Sequence, residues 1–96
     1  MKKGYVFLRL DLKNQDIFKA YPELSEKILL EYGGKYLFRG GNYDVLEGEW
    51  DFPRNTLLEF ESIEQAKKWY FSSDYQKAAD IRKKSSVGDV IIIEGY

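Results

Sequence analysis

The side chains able to do chemistry in this 96-residue chain concentrate between Glu31 and Trp50, in the run EYGGKYLFRGGNYDVLEGEW. Arg39 and Glu47 stand out there. A guanidinium presents a planar fork of donors that suits a carboxylate or another oxyanion. A carboxylate such as Glu47 can accept a proton, and desolvation would raise its pKa. Strand alternation extends the set. If Leu37 lies on an open sheet face, Arg39 shares that face two residues later. By the same parity Arg9 follows Phe7, and Glu59 follows Leu57. The candidate ligand-binding residues are therefore Arg39, Glu47, Tyr70, Arg9, Glu59, Arg54 and Trp50. They offer arginine forks, carboxylates and aromatic walls to a small polar or anionic molecule. The same residues have a second, structural reading. Arg9, Arg39 and Glu59 can form a buried ion-pair cluster that fixes the register of a dimer. Glu47 can pair with Arg39, Arg54 or Arg82. Trp50, Trp69, Tyr70, Phe71, Tyr75 and Tyr21 read either as a pocket wall or as core and interface packing.

Other chemistries lack their residues. There is no histidine and no cysteine. That removes the commonest general base, thiol nucleophiles, disulfides and most transition-metal sites. No metal and no cofactor is expected, and acid–base work would fall to Glu, Tyr or the substrate itself. The glycine pairs do not make a phosphate cradle, which needs glycines leading into a helix N-terminus. Gly33-Gly34 follows a helical pattern, and Gly40-Gly41 leads toward a strand. No EF-hand spacing, nucleotide fingerprint or GxSxG elbow occurs. Net charge is −1 and the pI about 5.5, so nucleic acid is not an expected partner. Arg82-Lys83-Lys84 reads as the solvated end of a helix, where cations suit the dipole. Glu23, Glu26, Lys27 and Glu31 read as a solvated helix face. No apolar run approaches the roughly 20 residues of a membrane helix. The first residues enter an alternating strand rather than a signal-peptide core, and the expected location is cytoplasmic.

The elements that must position these residues follow from periodicity. Length and the lack of linkers or repeats give one domain over 1–96. Tyr5–Asp11 alternates as a strand, with Val6, Leu8 and Leu10 on one face and Tyr5, Phe7 and Arg9 on the other. Asn14 or Asp16 can cap a helix. Ile17, Tyr21, Leu24, Ile28 and Tyr32 recur as one helical stripe, interrupted where Pro22 predicts a short first segment and a restart. Gly33 is a helix stop. Strands follow at Lys35–Arg39 and Asn55–Phe60, with a bend at Gly40-Gly41-Asn42 and further extended chain over Tyr43–Trp50. Ser62–Gln65 and Ser73–Gln76 read as capping boxes, opening helices to about Phe71 and Lys84. Val87–Glu94 is the last strand.

Without the irregular pieces the order is βαββαβ, an α+β ferredoxin-like unit: an antiparallel four-stranded sheet with helices on one face. Phe7, Leu37, Leu57 and one side of Val90–Ile93 would then lie on a bare face. Aromatic residues make up 17% of the chain, more than so small a core needs. A homodimer with sheets face to face would cover that face.

Read in order, Tyr5, Tyr21, Gly33-Gly34, Arg39-Gly40-Gly41, Glu47-Gly48, Trp50, Arg54, Glu59-Phe60, Trp69-Tyr70, Ser73, Tyr75, Arg82 and Glu94-Gly95 resemble a known pattern. It is that of the domain-of-unknown-function family numbered thirteen-thirty, in the dimeric α/β-barrel (ABM-like) superfamily. The chain departs from that pattern at Asp16-Ile17, where the family has Asp-Pro, and at Lys35, where it has Arg. The resemblance implies a ferredoxin-like protomer and a homodimeric barrel, and names no reaction. Related families include cofactor-free monooxygenases and isomerases. The functional expectation is a small homodimeric protein that binds a small organic molecule in a cleft, with cofactor-free isomerase- or monooxygenase-like chemistry; the alternative is a binding or dimerisation module without turnover.

Overall fold

Alternation along the first strand sorts the molecule into two sides. In the computed structural model, which describes residues 2–96, this strand is β1 (Gly4–Leu12). Its Val6, Leu8 and Leu10 are buried, while Tyr5, Phe7 and Arg9 are half-buried on the opposite face. It is followed by α1 (Gln15–Phe18), α2 (Tyr21–Glu31), β2 (Lys35–Arg39), β3 (Arg54–Phe60), α3 (Ile63–Tyr70), α4 (Ser73–Ser85) and β4 (Ser86–Glu94). The sheet order is β2-β3-β1-β4 and every neighbour is antiparallel. This is the ferredoxin-like arrangement, with the helices on one face.

The core lies between the sheet and that helical layer. Val6, Leu8 and Leu10 of β1 and Leu58 and Phe60 of β3 meet Phe18, Tyr21, Ile28 and Leu29 from α1 and α2 and Trp69, Tyr75, Ala78 and Ala79 from α3 and α4. Trp69 stacks on Tyr75 at a centroid distance of 4.1 Å. Most of the aromatic set from Tyr21 to Tyr75 is thus core; Phe71 alone of the α3 group is widely exposed.

Four readings of the sequence change. The stripe from Ile17 to Tyr32 divides between two helices, as Pro22 predicts, but only part of it is buried. The break between α1 and α2 interrupts the period: Tyr21 and Ile28 of the stripe are buried, Ile17 and Leu24 are exposed, and Phe18, Ser25 and Leu29 are buried as well. Asn14 caps α1, accepting from the Ile17 amide. Second, Tyr43–Trp50 is not a strand: residues 41–53 form a loop that joins no ladder. Third, Arg82 is not solvated. It lies at 6% exposure under the helical layer, and only Lys83 and Lys84 reach solvent.

The fourth concerns the caps. Ser62 accepts from the Gln65 amide as the first box requires, but the Gln65 side chain donates to the Tyr32 carbonyl instead of returning to Ser62. At α4 the cap is Ser72, which accepts from the Tyr75 amide, and Gln76 donates to the Tyr70 carbonyl. In both places the glutamine amide ties two elements together. Ser72→Ala is expected to cost about 1 kcal/mol and Ser73→Ala close to none. Urea unfolding of the two variants checks the assignment, and the opposite ranking would refute it.

Candidate functional site

One extra residue decides where the central block puts its side chains. Tyr36 pairs with Leu58 and Phe38 with Leu57, so the ladder slips at Leu37. A bulge of this kind reverses parity beyond it. Phe38 therefore joins Leu57 and Phe7 on the open face, where the Phe7 and Phe38 rings meet edge to face at 6.4 Å. Arg39, paired with Thr56, turns to the helical side together with Tyr36. The expectation that Arg39 shares the open face with Leu37 fails for this reason.

The candidate residues consequently divide between two places. On the helical side, Arg39 and Arg54 flank a cavity of about 30 Å³ between the sheet and α1–α2. Its wall includes Tyr21, Ser25, Tyr36, Thr56 and Trp69. Arg39 donates from Nη1 to Glu26 Oε1 at 3.0 Å and lies 4.6 Å over the Tyr36 ring. Arg54 lies 5.2 Å over the Phe18 ring. Glu26, read from sequence as a merely solvated residue, is thus the partner of Arg39.

On the open face, the loop 41–53 leans over the sheet and leaves a cleft of about 620 Å³. Phe7, Phe38, Tyr43, Glu47, Trp50 and Asn55 border it. Trp50 Nε1 donates to Asn55 Oδ1 at 3.1 Å. Arg9 sits 5.5 Å from the Trp50 ring and 4.9 Å from the Phe52 ring, and donates from Nε to Asp89 Oδ2 at 2.8 Å. Glu59 is on this face too, but four residues along β3 from Asn55, about 13 Å away. Its neighbours are Lys35 at 3.3 Å and Lys3 at 3.5 Å. Partial desolvation pushes the Glu59 carboxyl up, yet Lys35 and Lys3 outweigh it and hold the carboxyl below its usual range. No Arg9–Arg39–Glu59 cluster exists, and Glu47 forms no ion pair among the described residues.

Tyr70 belongs to neither opening. Its ring packs on Trp69, Phe71 and Tyr75 in the helical layer. There it borders a buried polar cluster that sequence reading missed. Tyr21 and Tyr75 hydroxyls lie 2.6 Å apart, buried, and the charge of the buried Arg82 acts on both phenols. The signal was available: Tyr75 and Arg82 are seven residues apart, on one face of α4. Burial first, then Tyr75, pushes the Tyr21 phenol well above its ordinary value. Burial also raises Tyr75, against the pull of Arg82 and of its bond to Tyr21. Burial alone would lower Arg82, but Tyr75 and Tyr21 reverse this and raise it. At neutral pH the pair is two neutral phenols beside a fixed cation.

Among the described residues no group of His, Cys, Asp or Glu could hold a metal ion. No helix is long and apolar enough to cross a membrane.

The fold defines a class: ferredoxin-like α+β proteins, a four-stranded antiparallel sheet with helices on one face. SnoaB, a cofactor-independent oxygenase from Streptomyces nogalater, superposes with a TM-score of 0.66 at 8% identity, over 100% of this chain and 95% of that one. A putative antibiotic biosynthesis monooxygenase from Nitrosomonas europaea gives 0.55 at 17%, over 99% and 92%. RPA0582, a protein of unknown function from Rhodopseudomonas palustris, gives 0.75 at 18%, over 97% and 80%. Comparison of the sequence with curated proteins gives no match. The chain belongs to the family described as Domain of unknown function (DUF1330), whose model matches residues 3–96.

The raised phenols carry a pH signature. A folded pKa above the unfolded value means that folding favours the protonated phenol. That stability is fully present below about pH 10 and is lost as pH rises through the higher folded values. The urea midpoint of the wild type should therefore fall more steeply above pH 10 than that of a Tyr21→Phe/Tyr75→Phe variant. Parallel curves would contradict the assignment.

Proposed function

We propose that this protein binds a small organic molecule bearing a polar or anionic oxygen in the cleft between the sheet and α1–α2. The observation that carries this reading is the pair of guanidiniums, Arg39 and Arg54, beside a cavity walled mainly by leucines and aromatic rings, Tyr21 and Tyr36 among them. Both guanidiniums lie over aromatic rings, so the mouth is cationic and its walls apolar. Such a site favours an oxyanion attached to a flat carbon skeleton. At about 30 Å³ the closed cavity has room for little more than a water molecule. The Arg39–Glu26 pair is partly exposed, and pairs of that kind are worth about 0.2–1 kcal/mol. A ligand oxyanion would replace the Glu26 carboxylate on the same guanidinium.

Phenol and guanidinium donors stabilise negative charge developing on a substrate oxygen. Cofactor-free oxygenase- or isomerase-like turnover is compatible with that donor set, and the fold shared with SnoaB supports it by analogy. Binding without turnover is the second reading; no carboxylate lines the cavity to act as a base, Glu26 standing at its mouth.

The open sheet face supports a homodimer. Phe7, Phe38, Leu57, Ile91 and Ile93 share it, and Phe38, Ile91 and Ile93 are exposed. The protomer is a slab of 34 × 32 × 16 Å, so one broad face offers roughly 1,000 Å², above the ~800 Å² per partner of a standard interface. A second copy also fits by chemistry, because an apolar face is its own complement about a two-fold axis.

Two measurements test these readings. In a thermal-shift screen of small carboxylates and phenolates, hits at about 100 times their Kd should raise wild-type stability by about 2.7 kcal/mol. Arg39→Ala/Arg54→Ala should lose the effect; equal shifts in both proteins would sink the cleft reading. Light scattering should give about twice the 11.3 kDa chain mass, and Phe38→Glu should return it to the monomer. A wild-type monomer at micromolar concentration would exclude the dimer.

A further inference from the structure

We propose that the cleft under the loop 41–53, on the open face of the sheet, is a second binding site, and that it takes an organic cation: an ammonium group carried on a hydrocarbon or aromatic skeleton. The inference is independent of the helical-side cavity and of the dimer.

The rings define the place. Phe7 of β1, Phe38 of β2, and Tyr43 and Trp50 of the loop border this cleft of about 620 Å³. Ordinary small-molecule sites measure roughly 300–1,000 Å³. Phe38, Tyr43 and Trp50 are exposed, and large apolar side chains gathered at one opening mark a binding surface. Two features fix where they stand. The slip at Leu37 turns Phe38 onto the open face, where its ring meets Phe7. Asn55 is buried on β3; its Oδ1 accepts from Trp50 Nε1 and its Nδ2 donates to the Pro53 carbonyl. These bonds hold the indole of the loop against the sheet.

The polar groups choose the charge of the ligand. Between residues 41 and 53 the loop carries Asp44, Glu47, Glu49 and Asp51 and no lysine or arginine. None of the four carboxylates forms an ion pair among the described residues. Asp44 and Glu47 border the cleft itself. The Trp50 N–H is taken up by Asn55 and does not answer them. An aromatic face is negative at its centre, so rings and carboxylates attract the same sign of charge. A cation among them gains from both, and an anion is repelled by both.

The fold already contains this chemistry beside the cleft. Trp50 also borders a neighbouring depression over β4, together with Arg9 and Asp89. There the Arg9 guanidinium lies 5.5 Å from the Trp50 ring and 4.9 Å from the Phe52 ring, and donates to Asp89 Oδ2 at 2.8 Å. Two rings and a carboxylate hold that cation. The cleft offers the same set to a ligand, with Tyr43 and Trp50 as rings and Asp44 or Glu47 as the carboxylate. Asp89 balances the charge of Arg9, so the guanidinium next door does not reverse the sign of the cleft.

Phenyltrimethylammonium and tert-butylbenzene test this, because they share a shape and differ in charge. Each is titrated into isotope-labelled protein while the two indole N–H signals are followed by NMR, with Trp50→Phe to assign them. The Trp50 signal should move on adding the cation, and that of Trp69, 1% exposed in the helical layer, should not. The wild type should bind the cation about tenfold more tightly than the neutral probe, as a partly desolvated contact between cation and ring gives. Asp44→Asn/Glu47→Gln, at exposed positions, should reduce that preference about threefold or more. Tyr43→Leu should weaken the cation more than the neutral probe. Near-UV circular dichroism verifies that each variant is folded. Equal affinity for the two probes overturns the proposal, since the cleft is then selective for apolar shape alone. A preference unchanged in Asp44→Asn/Glu47→Gln overturns it too, as does the absence of cation binding at millimolar concentration. A shift confined to Trp69 would put the probe in the helical-side cavity and would also overturn it.

Discussion

A chain of this size covers only one face of its own sheet. That constraint governs the rest of the structure. A four-stranded sheet has two faces to cover, and α1 to α4 supply a layer for just one. β1 lies in the interior of the sheet and pairs on both sides, so its alternation is imposed on both neighbours. Val6, Leu8 and Leu10 anchor the covered core. Phe7 and Arg9 are left to the other side, where Phe38, Ile91 and Ile93 join them. The loop 41–53 shields part of that face through Trp50 and Phe52, stacked near Arg9.

The two faces differ in chemistry as well as in cover. The open face is apolar, and its charges are compensated along the strands, Arg9 by Asp89 and Glu59 by Lys3 and Lys35. The acidic residues of the loop, Asp44 and Glu47 among them, make the cleft beneath it a poor place for an anion. The helical side holds the arginines that are not satisfied by strand neighbours. Arg39 and Arg54 stand at the edge, each against a ring, and Arg82 lies deep among phenols. The proposed oxyanion site therefore lies on the covered side, and the proposed dimer contact on the open one.

Much of this was legible in the residues. The β1 period, the Pro22 restart, the Gly33 stop and the Ser62 cap each act within a few residues, and each was read as it occurs. Two kinds of feature were not. The bulge at Leu37 has no composition of its own; it arises from how β2 registers against β3, and it alone moves Arg39 from one face to the other. The glutamines at Gln65 and Gln76 chose distant carbonyls over the local return that a capping box predicts, because tertiary packing brought Tyr32 and Tyr70 within reach. Arg82 looked like the head of a cationic helix end. Its neighbours along the chain are solvated, and only the docking of α4 on α1 and α2 shows that it is not.

The sequence by itself determined the element order, the family, the apolar character of both sheet faces and the absence of histidine and cysteine chemistry. These depend on periodicity and residue type, which act at short range along the chain. Tertiary structure decided which candidates meet. It separated Glu47 from Arg39, joined Arg39 to Glu26, and brought Tyr21 to Tyr75 across 54 residues of chain. Those encounters depend on strand register and helix docking, in which a one-residue slip turns a side chain to the opposite face.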